Sequence, residues 1–576
     1  MLRSVRGLPV VLVLSGLLLA PVPPVGAVSP ALPLEALYDN ASTADLDGTG
    51  AALPAADLAA AGWAPGRELT VRGARLTWPR RPPGTPDNVR ADGQTVRLTG
   101  PGDALVFLAT ATGGTEAGGT GSVMYADGSR SSYRLTVPDW RTGPLATKAL
   151  SLPHVATPAG LLLAERARLY AVTVPLVRGL EVASVRLPVA PRLHVFALAV
   201  RNGSAGWTGS WATATSALPV AGPWTDRTLR LVVHTSTGGP RVRLRFANTF
   251  GPAPVRIAAA TVAVRAEGAA ARTAPVPLSF RGARGVEVPA GAQAISDPLA
   301  FAVPEDADLL VSFHLPGTVT SVPWHGRAMQ RSYVSEPGDH TADTDPAAYT
   351  GTIRTWPLLT GVDVGGGPGS VVLLGDSITD GDGSTPDANR RWPDALAARL
   401  RRQDAVPRYG VLNAGISSNR VVSDRYSGEG FSPVGGGVSA VHRLDLDVLA
   451  QTSVRTLVVF EGINDVRSGI TAVEVTAGLR EIAERARAHG VRVLAATLLP
   501  CGGSSDYTAA MEAERAAVNA WIRHSGVFDG VLDFERALRD PASPGRLLPA
   551  YDSGDRLHPG DAGYAALAEA VQLTLL

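Results

Sequence analysis

Around residue 365 the hydrophobic period of the chain changes, and a change of period is a change of fold class. The break falls at Gly365-Gly366-Gly367-Pro368-Gly369, which reads by composition as a flexible linker. Before it, apolar residues alternate with polar ones, as in Arg241-Val242-Arg243-Leu244-Arg245-Phe246, with the apolar side facing inward and the arginines outward. After it, short apolar runs alternate with stretches of helical period. No single core serves both patterns, and 576 residues exceed what one core can hold.

Within the first region, residues 34–198 read as short strands separated by turns. Val123-Met124-Tyr125 and Tyr133–Val137 flank Asp127-Gly128, a hairpin signal. Residues 199–364 repeat the texture, with Leu229–Val233 and Arg241–Phe246 on either side of Gly238-Gly239-Pro240. The expectation is two successive β-sandwiches. Trp63, Trp78 and Trp140 fit a sandwich core better than a sugar-stacking surface.

In the second region, residues 370–576, the apolar runs are Val371–Leu374, Tyr409–Leu412, Thr456–Phe460, Val491–Thr497 and Val531–Phe534. One intervening helix opens at Thr471 with Glu474 as a capping box and stops at Gly490. Another carries Trp392, Leu396 and Leu400 on one face, with Pro393 in its first turn. Alternating strand and helix predicts a parallel sheet covered on both faces, and such sheets carry their chemistry outside the carboxyl ends of the strands. At those ends stand Gly375-Asp376-Ser377-Ile378-Thr379, Asn413-Ala414-Gly415 and Glu461-Gly462-Ile463-Asn464-Asp465, and near the end of the chain Asp555-Arg556-Leu557-His558-Pro559. A serine hydroxyl needs a base to become a nucleophile. His558 can take its proton and return it to a leaving alcohol, and Asp555, three residues earlier, can fix the imidazole. Asp376 and Asp465 are expected to hold loops by hydrogen bonds.

In order and content these four blocks resemble the SGNH/GDSL hydrolases. The resemblance covers residues 370–576 and implies a three-layer α/β/α, flavodoxin-like domain that hydrolyses carboxylic esters. It further implies Ser377 as nucleophile with His558 and Asp555, and an oxyanion hole made by the N–H groups of Ser377 and Gly415 and the side chain of Asn464. Asn419 and Arg420, which follow the glycine block, are expected to line the substrate pocket. Residues 34–198 resemble a β-sandwich module attached to glycoside-processing enzymes, on Trp78-Pro79, Asp87-Asn88-Val89, Gly93-Gln94 and Val137-Pro138-Asp139-Trp140. Residues 199–364 resemble the sandwich that precedes SGNH domains in bacterial carbohydrate esterases, on Trp207, Trp211, His234 and Asn248–Gly251.

Other features narrow the setting. A net charge of +1 offers nothing to a nucleic acid. Arg3 and Arg6, an apolar stretch from Leu8 to Ala20 and Val25-Gly26-Ala27 have the order of a secretory signal peptide over residues 1–27. The expectation is an extracellular protein with no membrane segment after cleavage. Cys501 is the only cysteine and reads as a buried thiol. Asp45-Leu46-Asp47-Gly48 and Asp380-Gly381-Asp382 lack the ligand set of a calcium loop, and neither a metal nor another cofactor is expected. The expected reaction is removal of acetyl or similar acyl groups from polysaccharide. A lipolytic or aryl esterase is the alternative enzyme, and a carbohydrate-binding or adhesion protein with an inactive hydrolase domain is the alternative of another class.

Overall fold

The computed structural model describes residues 31–576 except 203, 433 and 434. The expected signal segment, 1–27, lies outside the described residues. No helix among the described residues is long and apolar enough to cross a membrane.

Residues 31–365 are rich in antiparallel sheet. A five-stranded sheet (Val89–Asp92, Val189–Arg201, Ala104–Ala111, Ala167–Pro175, Lys148–Leu152) and a four-stranded sheet (Thr95–Pro101, Glu181–Arg186, Ala117–Tyr125, Arg130–Val137) share a core that includes Phe107, Val123, Leu135 and Val195. The expected Asp127-Gly128 turn joins the last two of these strands. A seven-stranded and a six-stranded sheet follow, sharing Leu231, Leu244, Phe246, Phe313 and Val362. Trp63, Trp78 and Trp140 are buried, and their apolar surface stabilises the interior. The division expected at 198/199 cuts through the strand Val189–Arg201. The hairpin Glu68–Val71 and Ala74–Thr77 also joins the later seven-stranded sheet, through Thr70 and Gln293.

The glycine run is a fixed turn and not a flexible linker. The strand Leu359–Gly365 ends inside the seven-stranded sheet and the first strand of the next domain starts at Ser370. Between them Gly366 N–H donates to Gly206 O and Gly369 N–H to Thr208 Oγ1. Positive φ at Gly366, Gly367 and Gly369 is what the turn requires of these glycines.

From there a parallel sheet runs through β1 (Ser370–Gly375), β2 (Gly410–Gly415), β3 (Val454–Phe460), β4 (Arg492–Ala496) and β5 (Gly530–Leu532), in spatial order β2-β1-β3-β4-β5. Alternate residues of β1 enter different cores. Val372 and Leu374 pack with Leu457, Leu479 and Ile482, whereas Val371 and Leu373 pack with Trp392, Leu396 and Leu567. The helices that matter below are α1 (Ser377–Asp380), α2 (Trp392–Arg401), α3 (Ala440–Leu444), α4 (Ile463–Arg467), α5 (Ala472–Ala488), α6 (Ala509–His524), α7 (Phe534–Leu538) and α8 (Asp561–Ala570). The capping box at Thr471 and Glu474 opens α5, and Pro393 sits in the first turn of α2.

Of the arginines expected to face outward on Arg241–Phe246, Arg241 is exposed as expected, whereas Arg243 is half-buried and Arg245 is buried. The parallel-sheet domain covers these two. Arg243 Nε lies 2.9 Å from Asp363 Oδ2, Thr452 Oγ1 donates to the same oxygen at 2.7 Å, and Arg245 Nη1 donates to Gln451 Oε1 at 2.8 Å. Nearby, Gly209 N–H donates to Ser370 Oγ at 2.9 Å, and a Cβ on Gly410 would lie 1.9 Å from Gly209 O.

Candidate active site

β1 ends in Gly375, and Asp376 caps the helix that follows by accepting the Ile378 N–H at 2.9 Å. The cap turns the chain so that Ser377 opens α1. Its Oγ stands 2.8 Å from His558 Nε2. His558 comes from the loop before α8, where Asp555 Oδ1 accepts the N–H groups of Leu557 (2.9 Å) and His558 (2.8 Å) and Oδ2 lies 2.5 Å from His558 Nδ1. Burial opposes the Asp555 carboxylate, but the hydrogen bonds from His558 and Leu557 outweigh it and lower its pKa. An ionised Asp555 fixes Nδ1 as the protonated nitrogen and leaves Nε2 to accept from Ser377. Residues 181 positions apart in sequence thus form one hydrogen-bonded line.

The turn after β2 is tied to α1. Ile416 N–H donates to Gly375 O, and Ser417 N–H donates to Asp380 Oδ2 at 2.9 Å. Asn464, in the first turn of α4, donates from Nδ2 to Asn419 O at 3.0 Å, which brings its amide to the same turn. Asp465 accepts the N–H groups of Val421 (2.8 Å) and Val422 (3.2 Å), the loop-holding role expected of it, and burial raises its pKa to about 6.

Two expected site residues are placed differently. Gly415 N–H is already taken by Asn413 Oδ1 at 2.8 Å, and the glycine is required because a Cβ would lie 2.3 Å from Asp380 N. Three residues on, Ser418 holds φ at +64°, and among the described residues its N–H has no hydrogen-bond partner. Asn419 does not line a pocket. It is fully buried, donating from Nδ2 to Gly436 O and Val438 O and accepting Arg443 Nε–H at Oδ1. Arg420 is half-buried and donates to Ser423 Oγ on its own loop at 3.2 Å.

Residues the sequence reading missed organise this end of the sheet. Arg443 on α3, 2% exposed, donates to Ala414 O (2.6 Å) and Gly375 O (2.9 Å), joining the ends of β2 and β1 behind Ser377. Glu461 lies 3.6 Å from the same guanidinium, and burial first, then the charge of Asp376, raise its pKa. Burial likewise raises Asp376 to about 7. An arginine within a helix gives no sequence signal of such a role. Cys501 is buried as expected, and burial pushes its thiol up to about 11, where it is unreactive.

Residues 373–566 match the GDSL-like lipase/acylhydrolase family, and residues 35–204 match the AziU2-like beta-sandwich domain. No curated protein matches the chain. Among solved structures, an acetyl xylan esterase from Geobacillus stearothermophilus is similar at 22% identity, covering 36% of this chain and 94% of its own, with a TM-score of 0.28. A GDSL-like lipase from Bacteroides thetaiotaomicron is similar at 18% identity, covering 36% and 87%, with a TM-score of 0.27. Residues 373–566 thus form a domain of the GDSL-like lipase/acylhydrolase family, and the chain is an ester hydrolase.

Proposed function

We propose that the chain is an exported serine esterase that removes O-acetyl groups from polysaccharides, built as two sandwiches ahead of a three-layer α/β/α domain. The observation that carries the catalytic part is the line Ser377 Oγ to His558 Nε2 at 2.8 Å and His558 Nδ1 to Asp555 Oδ2 at 2.5 Å. In this reading Ser377 Oγ attacks the ester carbonyl while His558 takes its proton. The oxyanion is received by the N–H groups of Ser377 and Ser418 and by Asn464 Nδ2. His558 then protonates the leaving alcohol, and water, activated by the same imidazole, releases the acyl group from Ser377.

The polysaccharide part rests on surroundings. A cavity of about 350 Å³ beside α1 is lined by Ser417, Ser418, Asp380 and Arg327, polar groups that suit a hydrated sugar ester better than a long acyl chain. The β-rich region and the signal-like first 27 residues support export to where such polymers occur. Acetate release from acetylated xylan and pectin, set against p-nitrophenyl esters of increasing chain length, tests the reading. Acetate release with turnover falling beyond short chains is expected. Rising turnover with chain length would contradict it and favour a lipolytic enzyme, and a folded protein without turnover would leave the adhesion reading.

A further inference from the structure

The pocket beside the end of α1 is not walled by the catalytic domain alone. Asp380, Ser417 and Ser418 border it on one side, and Trp324, Gly326 and Arg327 of the preceding β region border it on the other. Arg327 Nε lies 3.3 Å from Asp382 Oδ1, and Asp382 Oδ2 accepts the Ser417 hydroxyl at 2.8 Å.

Between Trp324 and Arg327 the chain buries His325, 2% exposed, against α1. Its Nδ1 faces Ala214 O at 2.9 Å, and its Nε2 faces Asp380 Oδ1 at 2.9 Å and Arg327 O at 3.2 Å. Carbonyl oxygens only accept, and a nitrogen shared between a carbonyl and a carboxylate satisfies both only as a donor. Both ring nitrogens therefore carry hydrogen, and the ring is an imidazolium paired with a carboxylate. Burial opposes that charge, but Asp380 and the two carbonyls outweigh it and raise the pKa. The other charged groups near the pair are Asp447, Asp382 and Arg391, and Trp356 lies against the imidazole at 5.5 Å. The second oxygen of Asp380 holds Ser417 N–H, next to the N–H of Ser418, which has no hydrogen-bond partner among the described residues.

We propose that the segment 324–327 of the β region is part of the active site. His325 is a positioning residue in it, holding Asp380, and through Asp380 the Ser417–Ser418 turn, where the oxyanion needs its donor. This rests on the serine-esterase reading above.

The test uses the full chain with His325→Gln, Asp380→Asn and the double variant, measuring kcat and KM for p-nitrophenyl acetate alongside thermal melts. A donor displaced by roughly 1 Å, or lost, costs on the order of a hundredfold. Each single variant should therefore lose about that much kcat, with KM within about threefold of wild type, and the double variant should be no worse than the worse single. A kcat within threefold of wild type in either folded single variant would overturn the proposal. So would losses that multiply in the double variant, or unfolding of both single variants, which would make the pair a folding element only. Ser377→Ala is measured in parallel. Turnover retained there would remove the serine reading itself, whereas failure confined to His325 and Asp380 leaves that reading intact.

Discussion

At the scale of single residues, the site depends on which backbone groups are already engaged. In the proposed reading Ser418, and not Gly415, supplies the oxyanion N–H, because the only glycine in Gly415-Ile416-Ser417-Ser418-Asn419 is needed for its close approach to α1 and its own N–H is taken, while a serine carries the positive φ. Motif reading pointed to Ser377, Asn464, Asp555 and His558 because the chemistry proposed for them demands fixed residue types. It could not point to Ser418, whose proposed contribution is a main-chain N–H that any residue but proline supplies. Substitutions separate the two glycine-block positions. Ser418→Gly should keep turnover within about threefold, since it retains the N–H and removes left-handed strain. Gly415→Ala should abolish turnover and lower the melting temperature, because its Cβ meets Asp380 N at 2.3 Å. Asn464→Ala should fold and lose about a hundred- to thousandfold in kcat, the usual cost of one oxyanion donor. Steady-state kinetics with matched melts check all three.

At the scale of elements, strands β1 and β2 end side by side and are held there by one side chain. Arg443 satisfies the carbonyls of Gly375 and Ala414 and the side chain of Asn419 at once, with Asp447 and Glu461 nearby. Replacing it by methionine leaves buried carboxylates without their cation, and a broken buried pair typically costs about 3–5 kcal/mol. Denaturant melts of Arg443→Met should show a loss of that size, and a loss under about 1 kcal/mol would contradict this account of the strand ends. The five-stranded antiparallel sheet carries a different buried histidine. His194 Nδ1 faces Asn88 Oδ1 at 3.0 Å and Nε2 faces Thr112 Oγ1 at 3.3 Å, one acceptor and one hydroxyl able to donate, which suits a neutral ring. Burial lowers its pKa to about 4. Unfolded, the ring takes a proton near pH 6.5, so between about pH 6.5 and 4 the unfolded state binds the extra proton and stability falls on acidification. Between pH 7 and pH 5 this ring contributes up to about 2 kcal/mol of loss. Melts at both pH values should show His194→Gln to be less acid-sensitive than wild type by roughly that amount.

At the scale of the whole molecule, the regions that the sequence pattern divides are not separate bodies on a string. Period and composition located the β-rich and parallel-sheet regions because each local element buries its own apolar face. They did not reveal the interfaces, because Arg243, Arg245, Gly209 and Gly410 look like solvent-facing or flexible residues until the second surface is present. Ala290 and Ala292 of the second stretch lie in a core with Trp63 and Phe196 of the first, and Ala212 lies in a core of the parallel-sheet domain. Cores shared in this way couple unfolding. Calorimetry of the full chain should show one dominant transition, and two or three well-separated ones would contradict the coupling.

Every functional step proposed above requires Ser377 to be the nucleophile, activated by His558. Incubating the folded chain with a fluorophosphonate and mapping the adduct by mass spectrometry tests it most directly. One covalent adduct is expected, on Ser377, absent from Ser377→Ala and strongly slowed in His558→Ala. An unmodified Ser377 in folded protein that still hydrolyses p-nitrophenyl acetate would contradict it.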